Sequence, residues 1–286
     1  MNIVLSRKGF DASEGGIPSP ILPDGRLFSL PIPHRPERTT LATTYAHLDV
    51  FGHSAAKILS DLGPSRSWAE VKAHLDPDLR AGTVPRAPGW RPLFGQDAAA
   101  QGHLNENKVG VGDLFLFFAW FRQTQWQRGR LTYAPKAQDL HVIFGWLEVG
   151  EIWSIGRDRT AVPGYAQGHP HAVTEYGPSN TIYAAASDST AGARSRYRAG
   201  AFERFAPQLR LTARGRTRSV WSLPAWFYPA PLKPPLTYHR DPKRWQLTDG
   251  RVILKTVAKG QEFVLDTDHY PEARSWVESI LATAAP

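Results

Sequence analysis

A histidine and two aspartates lie close together in the segment His74-Leu75-Asp76-Pro77-Asp78. Imidazole and carboxylate groups at this spacing can bind a hard or borderline metal ion, or act together as an acid–base set. Pro77 favours an extended conformation at Asp76, so the chain turns here and keeps the three side chains near one another. The structural alternative is a helix that ends in a histidine and is followed by a solvated aspartate turn.

Further acidic and imidazole groups extend this set. The candidate catalytic residues are Asp11, His74, Asp76, Asp78, His103 and Asp113. They are far apart in sequence, so they form one site only if the fold brings them to one cleft, and we expect the amino-terminal motif and the 74–78 turn to face the same cleft as Asp113. Asp113 has a structural alternative, because a Gly-Asp pair at the start of a strand often uses its carboxylate to accept backbone N–H groups.

A second group of residues is suited to holding a phosphate or a nucleotide. Its members are Ser6, Arg7, Lys8, Gln96 and Arg122. Cationic side chains bind phosphate oxygens through charge-assisted hydrogen bonds, and amide side chains match the edge of a base. The nearby Gly15-Gly16 pair could bring backbone N–H groups close to the same anion, or it could simply form a turn between two strands.

Positive charge is concentrated in the arginine-rich segment, residues 194–218, which has eight arginines and a single acidic residue, Glu203. Its candidate nucleic-acid contacts are Arg210, Arg214, Arg216 and Arg218. Arginine suits forked contacts with phosphate better than lysine does. The alternative is a solvated face that keeps a protein of formal net charge +8 in solution.

Two more histidines flank a proline in Gly168-His169-Pro170-His171. In an extended segment, side chains two residues apart project to similar sides. Two histidines do not make a metal site without further ligands. The sequence therefore assigns neither a metal nor any other cofactor.

These residues must be positioned by a sheet built around two apolar runs, residues 114–121 and 141–149. Both runs are short, aromatic and bounded by turn residues, which favours strands over helices. Neither alternates polar with apolar residues, so both faces should be covered. Antiparallel pairing through the connector 123–139 predicts an α+β fold with a mixed, mainly antiparallel central sheet and short helices packed around it.

The flanking segments predict the remaining elements. Strands are expected at 3–5, 180–186, 209–212 and 220–223, and a short helix at 103–105. Ser67-Trp68-Ala69-Glu70 has the form of a capping box and predicts a helix that runs to Leu75. Residues 252–255 and 262–265 predict a final hairpin, and a terminal helix from Pro271 should bury Trp276, Val277, Ile280 and Leu281.

Composition limits the class of protein. Hydrophobic residues make up 42% and charged residues 21% of the 286, which is typical of a globular chain. No repeat or clear boundary divides it, so we expect a single domain, 1–286, with its β core at about 109–186. The chain contains no cysteine, which excludes disulfides and thiolate ligands. No apolar run reaches the ~18 residues of a membrane span, so a cytoplasmic protein without a membrane partner is expected. The oligomeric state is left open.

The opening Val4-Leu5-Ser6-Arg7-Lys8-Gly9-Phe10-Asp11, with Gly15-Gly16-Ile17-Pro18-Ser19-Pro20-Ile21 and Pro23-Asp24-Gly25, resembles the start of the third nucleotide modification associated domain family. The segments 74–78, 94–96, 103–104, 112–118 and 144–147 are similar to it as well, so the resemblance covers nearly the whole chain. It implies a role in the synthesis, recognition or repair of modified nucleotides. It supplies no reaction and no catalytic residues.

The centre of the chain also resembles PUA-like domains, the group that includes the EVE and ASCH modules. The resemblance rests on a Gly-Asp pair before an apolar strand, a polar connector, and a strand that ends in Gly145-Trp146-Leu147-Glu148-Val149-Gly150. It implies a small β-barrel that binds a modified or flipped base in an aromatic pocket. Trp120, Trp146 and Trp153 would then form the walls of that pocket.

Three functions are compatible with the sequence. The first is a module that binds a modified base, a nucleotide or a nucleic acid, including modified DNA. The second is a metal-dependent or acid–base enzyme acting on a nucleotide or on a base in DNA, and the third is a non-catalytic scaffold. An aromatic cage beside a basic face would favour the first function. Convergence of the candidate catalytic residues around one cleft would favour the second.

Overall fold

The computed structural model describes residues 1–64, 66–158, 162–188 and 197–284. The strands of these residues are β1 Asn2–Arg7, β2 Ser19–Ile21, β3 Ile32–Pro33, β4 Asp49–Val50, β5 His53–Ser54, β6 Ala73–His74, β7 Leu93–Gln96, β8 Leu114–Gln127, β9 Arg130–Tyr133, β10 Leu140–Ser154, β11 Thr181–Ala185, β12 Ala199–Ala201, β13 Val220–Pro224, β14 Trp245–Thr248, β15 Arg251–Lys255 and β16 Glu262–Asp266. The α-helices are α1 Ala55–Leu62, α2 Ala98–Glu106, α3 Pro170–Val173 and α4 Ala273–Leu281. Among these helices, none has the length and apolar character needed to cross a membrane.

The two longest strands, β8 and β10, pair antiparallel at the centre of the main sheet, as predicted. Their register places Phe121 opposite Leu140 and Leu116 opposite Trp146. Residues 114–119 of β8 are buried on both faces, because helices, loops and smaller strands pack above and below the sheet. The register of β10 against β8 shifts between Ile143 and Gly145. β10 also pairs with β12 at residues 145–147 and with β11 from Val149 onward, with a second irregularity between Val149 and Glu151.

The main sheet has the order β16-β1-β8-β10-β11-β7, with β2 and β9 on β8 and β12 on β10. β1 and β2 run parallel to β8, whereas the other pairings in this sheet are antiparallel. The α+β prediction is therefore confirmed. The described strands do not close into a barrel, since β16 and β7 remain the two ends of the order. The PUA-like barrel alternative is therefore wrong for this fold.

The predicted helix after Ser67 is also wrong. Tyr45 N donates to Val71 O and Ala73 N donates to Thr43 O, so the segment is held extended against a distant part of the chain. Trp68 is 1% exposed and packs on the rings of Phe10 and Tyr45. This long-range pairing and burial outweigh a local capping pattern. As a result His74 lies on β6, opposite Ile32 of β3, rather than at a helix end.

The last two predicted strands form, but not as a hairpin. β15 pairs with β13 and β14 in a separate three-stranded sheet. β16 instead pairs antiparallel with β1 at the other end of the chain. The predicted strand at 209–212 is wrong, because Pro207–Leu209 forms a 3-10 turn and only isolated bridges follow it. The terminal helix is confirmed as α4, which buries Val277 and Ile280.

Candidate functional site

A cavity of about 490 Å³ opens where β1 ends, between the β3–β6 ribbon, the end of β7 and the loop before β16. This size falls in the ~300–1,000 Å³ range of small-molecule sites. Predicted site residues that line this main cavity are Arg7, Lys8, Asp11, His74, Asp76 and Gln96. It is also lined by His34, Asp97, His171 and Tyr176, which the candidate set did not include. The fold thus brings together six of the predicted residues from three separate stretches of sequence.

Asp76 stands at the centre of one wall. Its Oδ1 accepts the backbone N–H of Gly95 on β7 at 2.7 Å, which ties the turn after β6 to the edge of the main sheet. Three imidazoles surround the carboxylate: His74 Nε2 lies 3.8 Å from Oδ2, His171 Nε2 3.9 Å from Oδ2, and His169 Nε2 3.3 Å from Oδ1. We call these four residues the His–Asp cluster. Donor atoms of His74, Asp76 and His171 all lie within 4.8 Å of one another, a grouping able to hold a metal ion.

The two histidines of the Gly168–His171 motif reach Asp76 from a single helical turn, not from the extended segment that was predicted. His169 caps α3, and its Nδ1 accepts the backbone N–H of His171. His171 lies inside α3, and its Nδ1 is 2.7 Å from Asn180 Oδ1. Because Asn180 Nδ2 donates to His171 O, its Oδ1 is the acceptor, and His171 must carry its proton on Nδ1. The lone pair on His171 Nε2 therefore faces Asp76.

His74 is supported from behind by a second chain of contacts. Its Nδ1 lies 3.1 Å from His34 Nδ1 and 3.4 Å from the Tyr176 hydroxyl. His34 Nε2 continues to Thr174 Oγ1 at 3.1 Å. The His34 and His74 rings stack at 5.3 Å, and the Tyr176 ring stacks on His171 at 4.4 Å. These contacts restrict the orientation of both imidazoles in the wall of the cavity.

Burial and neighbouring groups shift the pKa values of Asp76, His171 and His34. Burial alone would raise the pKa of Asp76, but the imidazoles of His169 and His74 hold that pKa far below its usual range, so the carboxylate is ionised. Burial lowers the pKa of His171 to about 3, despite the opposing pull of Asp76. Burial, with the neighbouring His74, lowers the pKa of His34 to about 4. The cavity therefore presents a carboxylate beside neutral imidazole.

Cationic groups also line the main cavity. Arg7 donates to the carbonyl oxygens of Ala258 and Gly260, and no carboxylate lies within ion-pair distance of it among the described residues. Lys8 is neutralised by Glu262, whose Oε1 lies 2.7 Å from Lys8 Nζ and also accepts Gln96 Nε2 at 2.6 Å. Arg7 is thus the residue best placed to bind an incoming anion.

Asp11 lines the same cavity but is engaged in a turn. Its Oδ1 accepts from the backbone N–H groups of Ser13 and Glu14 and from the Ser13 hydroxyl. Burial raises the pKa of Asp11, but these hydrogen bonds and the charge of Arg7 lower it more. The Gly15-Gly16 pair closes this turn: both residues have positive φ, and a β-carbon on Gly15 would overlap the Phe10 ring.

A second cavity of about 790 Å³ adjoins the first, and Arg7, Asp11 and Ser13 line both. We call it the basic cavity. Arg216 and Arg218 line it, and the Arg218 guanidinium lies 4.0 Å from the Trp120 ring centroid. Arg214 and Arg216 are exposed, whereas Arg210 donates to Thr212 O and Gln138 Oε1. Arg194 and Arg196 lie outside the described residues.

The remaining predicted site residues do not reach the main cavity. Asp113 accepts from Asn2 N at 2.6 Å and Gly110 N at 2.9 Å, at the end of β1 away from Arg7. The expectation that Asp113 shares the cleft is therefore wrong, and its contacts match the turn alternative. His103 contacts Thr237 and packs on Tyr238 beside α2.

Three more candidates are buried or paired elsewhere. Asp78 forms a forked ion pair with Arg86, at 2.5 and 2.6 Å, and lines a different cavity. Burial raises the pKa of Asp78, against the effect of Arg86. Arg122 of β8 forms an ion pair with Asp139, which precedes β10. Ser6 is fully buried on β1, and its hydroxyl makes no hydrogen bond with the described residues.

The residues that the sequence candidates lacked are mainly histidines. His171 belongs to the histidine pair of the Gly168–His171 motif, and the sequence around that motif does not indicate its further ligands. The available signal was the spacing His74-x-Asp76 together with a distant histidine, since two imidazoles and a carboxylate form a known metal-binding set. His34, Tyr176 and Asn180 gave no signal, because they act only through contacts made in the folded chain.

Comparison with known proteins identifies a family. A family model described as nucleotide modification associated domain 3 matches residues 2–266. No curated protein and no solved structure matches the chain.

Proposed function

We propose that this chain, which belongs to the nucleotide modification associated domain 3 family, is an enzyme that binds a nucleotide in the main cavity and processes it at the His–Asp cluster. The observation that carries the proposal is the shared lining of one cavity by Arg7 and by His74, Asp76 and His171. The Arg7 guanidinium suits a phosphate, and a carboxylate among imidazoles suits proton transfer.

The aromatic-cage alternative has less support. Trp146 packs on Phe202 at 4.8 Å between ring centroids, and Trp153 faces Tyr165 at 6.2 Å. Trp120 lies under Arg218 in the basic cavity. The three tryptophans contact different neighbours and none of them lines the main cavity. The polar convergence favours processing over simple recognition of a base.

The basic cavity favours a nucleotide that is part of a nucleic acid. It continues from the main cavity through Arg7, so a strand whose reacting nucleotide occupies the main cavity could place neighbouring phosphates beside Arg216 and Arg218. Trp120 adds an aromatic surface of the kind on which bases stack. A free mononucleotide would leave these contacts unused.

Binding of the four 5′-deoxynucleotides and of a short single-stranded oligonucleotide tests the proposal. Arg7→Gln should weaken binding of both by at least about tenfold, since a charge-assisted contact contributes roughly 1.5–3 kcal/mol. The matched control is Arg274→Gln, an exposed arginine on α4 that lines none of the described cavities. Equal binding by wild type and Arg7→Gln would remove the phosphate role of this cavity.

The processing step needs a separate readout. Oligonucleotides with and without 5-hydroxymethylcytosine are incubated with wild type and with Asp76→Asn, then digested to nucleosides for mass spectrometry. A mass change that depends on wild-type Asp76 supports the enzyme. Tight binding with every nucleoside recovered unchanged would make the protein a binding module instead.

A further inference from the structure

We propose that His74 Nε2, Asp76 Oδ2 and His171 Nε2 together bind one divalent first-row transition-metal ion in the wall of the main cavity. The catalytic use of this ion rests on the proposed function, whereas its binding does not. Four observations carry the inference: the spacing of the donor atoms, the orientation of the two imidazoles, the burial of Asp76 without a lysine or arginine partner among the described residues, and the burial of His169 Nε2 without a hydrogen bond.

The donor atoms already surround a common point. Two atoms bound to one ion at about 2.1 Å lie about 3.0–3.5 Å apart. The two nitrogen-to-oxygen separations are 3.8 and 3.9 Å, so each side chain needs to move by only a few tenths of an ångström to close on an ion. These separations are too long for hydrogen bonds, so direct bonds between the donors do not compete with the ion.

The residues that contact His74 and His171 orient the Nε2 atom of each imidazole for metal binding. Asn180 holds the proton of His171 on Nδ1, which leaves the Nε2 lone pair free. On the other side, a metal at His74 Nε2 selects the tautomer in which His74 Nδ1 donates to His34 Nδ1. His34 then donates through Nε2 to Thr174 Oγ1, and the chain of donors is consistent to its end. Metal-bound histidines generally donate their second N–H to such partners.

The surroundings of Asp76 leave room for a cation. The carboxylate is buried, and among the described residues no lysine or arginine lies within ion-pair distance of it. Buried charges in proteins are paired or coordinate metals. His169 is a further indication of a missing partner in the cluster. Its Nε2 is buried beside Asp76 Oδ1 without a hydrogen bond of acceptable geometry. A cation on Asp76 Oδ2 would draw the carboxylate into a fixed position.

The donor set limits the ion. Two imidazoles and one carboxylate suit iron, cobalt, zinc or manganese, whereas Mg²⁺ and Ca²⁺ prefer oxygen donors. Three protein ligands leave coordination positions open, as in catalytic rather than structural sites. Because all three residues line the main cavity, the open positions face the space assigned to the nucleotide.

Co²⁺ is the probe, because its visible absorption reports coordination without any activity assay. Full-length protein is treated with chelator, dialysed and titrated with Co²⁺. We expect one Co²⁺ ion per chain. Zn²⁺ and, in the absence of oxygen, Fe²⁺ should displace Co²⁺ and abolish its absorption bands. The relative affinities of the three ions identify the preferred one. Mg²⁺ should not displace Co²⁺.

Ligand and support variants decide the assignment. His171→Gln and Asp76→Asn should each weaken Co²⁺ binding by at least about 100-fold. His34→Gln, which removes only the support of His74, should weaken it by about 10- to 100-fold. His103→Gln removes a histidine outside the cavity and should bind Co²⁺ as wild type does. Circular dichroism is used to check whether each variant is folded, and His34→Gln keeps the test decisive if the two ligand variants do not fold.

Absence of Co²⁺ bands in the wild type would overturn the inference, and so would wild-type affinity in folded ligand variants. Its failure is distinguishable from that of the proposed function. If Co²⁺ binds but no nucleotide does, the metal site stands and the proposed function fails. If chelated protein binds and processes the nucleotide, the proposed function stands and the metal site loses its role.

Discussion

The imidazole of His171 packs directly against the backbone of Gly95, in the space that a β-carbon at residue 95 would fill. The same glycine donates its N–H to Asp76 Oδ1. Gly95 of β7 thus positions both Asp76 and His171, and it can contact His171 so closely because it has no side chain.

Gly95→Ala should therefore weaken Co²⁺ binding without removing any ligand. The new methyl group overlaps the His171 ring, so the imidazole must move away from Asp76, and we expect a loss of about tenfold or more in Co²⁺ affinity. The matched control is Gly102→Ala on α2, where a β-carbon meets nothing within 4 Å. That variant should gain about 0.5–1 kcal/mol in the free energy of unfolding and keep its affinity for Co²⁺. Equal Co²⁺ affinity in both variants would contradict the positioning role of Gly95.

The arginine-rich segment should contribute to nucleic-acid binding through its described members. Arg214 and Arg216 are exposed and Arg218 lies over Trp120, so replacing all three with Gln should cost little stability. Each lost phosphate contact reduces the slope of log affinity against log salt by about 0.9 on duplex DNA and about 0.7 on a single strand. We expect the slope to flatten by up to about two to three. Arg274→Gln serves as the control, and an unchanged slope in the triple variant would assign this face to solubility alone.

His141 should make the folded protein sensitive to acid. Burial, together with the charges of Arg7 and Arg218, lowers the pKa of His141 to about 3 from the 6.5 of an exposed histidine, and Trp221 Nε1 donates to its Nδ1. Between these two pH values the unfolded chain binds a proton that the folded chain does not, so stability falls as the pH falls. His141→Gln should reduce the slope of unfolding free energy between pH 4 and 6 by about 1.4 kcal/mol per pH unit. Parallel slopes for the two proteins in denaturant titrations would show that His141 is not the group responsible.

Asp113 should prove to be a residue of stability rather than of catalysis. Its carboxylate accepts from Asn2 N, Asn2 Nδ2 and Gly110 N and is 6% exposed. Asp113→Ala leaves these donors unpaired and should lower the free energy of unfolding by about 2–3 kcal/mol. Asp113→Asn, which can still accept, should lose less. Nucleotide and Co²⁺ affinities of both variants should equal those of the wild type, and a selective loss of ligand binding would return Asp113 to the site.

The parts of the fold that the sequence predicts are those set by local composition. The continuous apolar runs of β8 and β10 could form only a buried pair, and the stripe of Val277 and Ile280 could form only an amphipathic helix. Elements that depend on distant partners were not predictable. The 67–75 segment has a helix-start pattern but is held by Thr43 and Tyr45, and β16 leaves its neighbour β15 to pair with β1.

The site divides in the same way. Arg7, Lys8, His74 and Asp76 were found because their residue types are concentrated in short motifs. His171 reaches Asp76 only because β7 pairs with β11 and α3 packs against Gly95. No pattern within either segment indicates that His171 and Asp76 lie in contact. The roles of Asn180 and His34 depend on a few side-chain hydrogen bonds each, which give no periodic pattern in a sequence.

The pairing of β1 with β16 has a consequence for the order in which the cavity is made during synthesis. Arg7 rests on the carbonyl oxygen of Gly260, and these residues are 253 positions apart in the chain. At about 5–20 residues per second, a ribosome needs roughly 10–50 s to add the second wall after the first. During that interval the nascent chain contains Arg7 and, once residue 171 has been added, the whole His–Asp cluster. It still lacks the residues before β16 that line the main cavity beside Arg7. A ribosome that stalls before residue 258 leaves a product with all the proposed metal ligands and no enclosed place for a substrate.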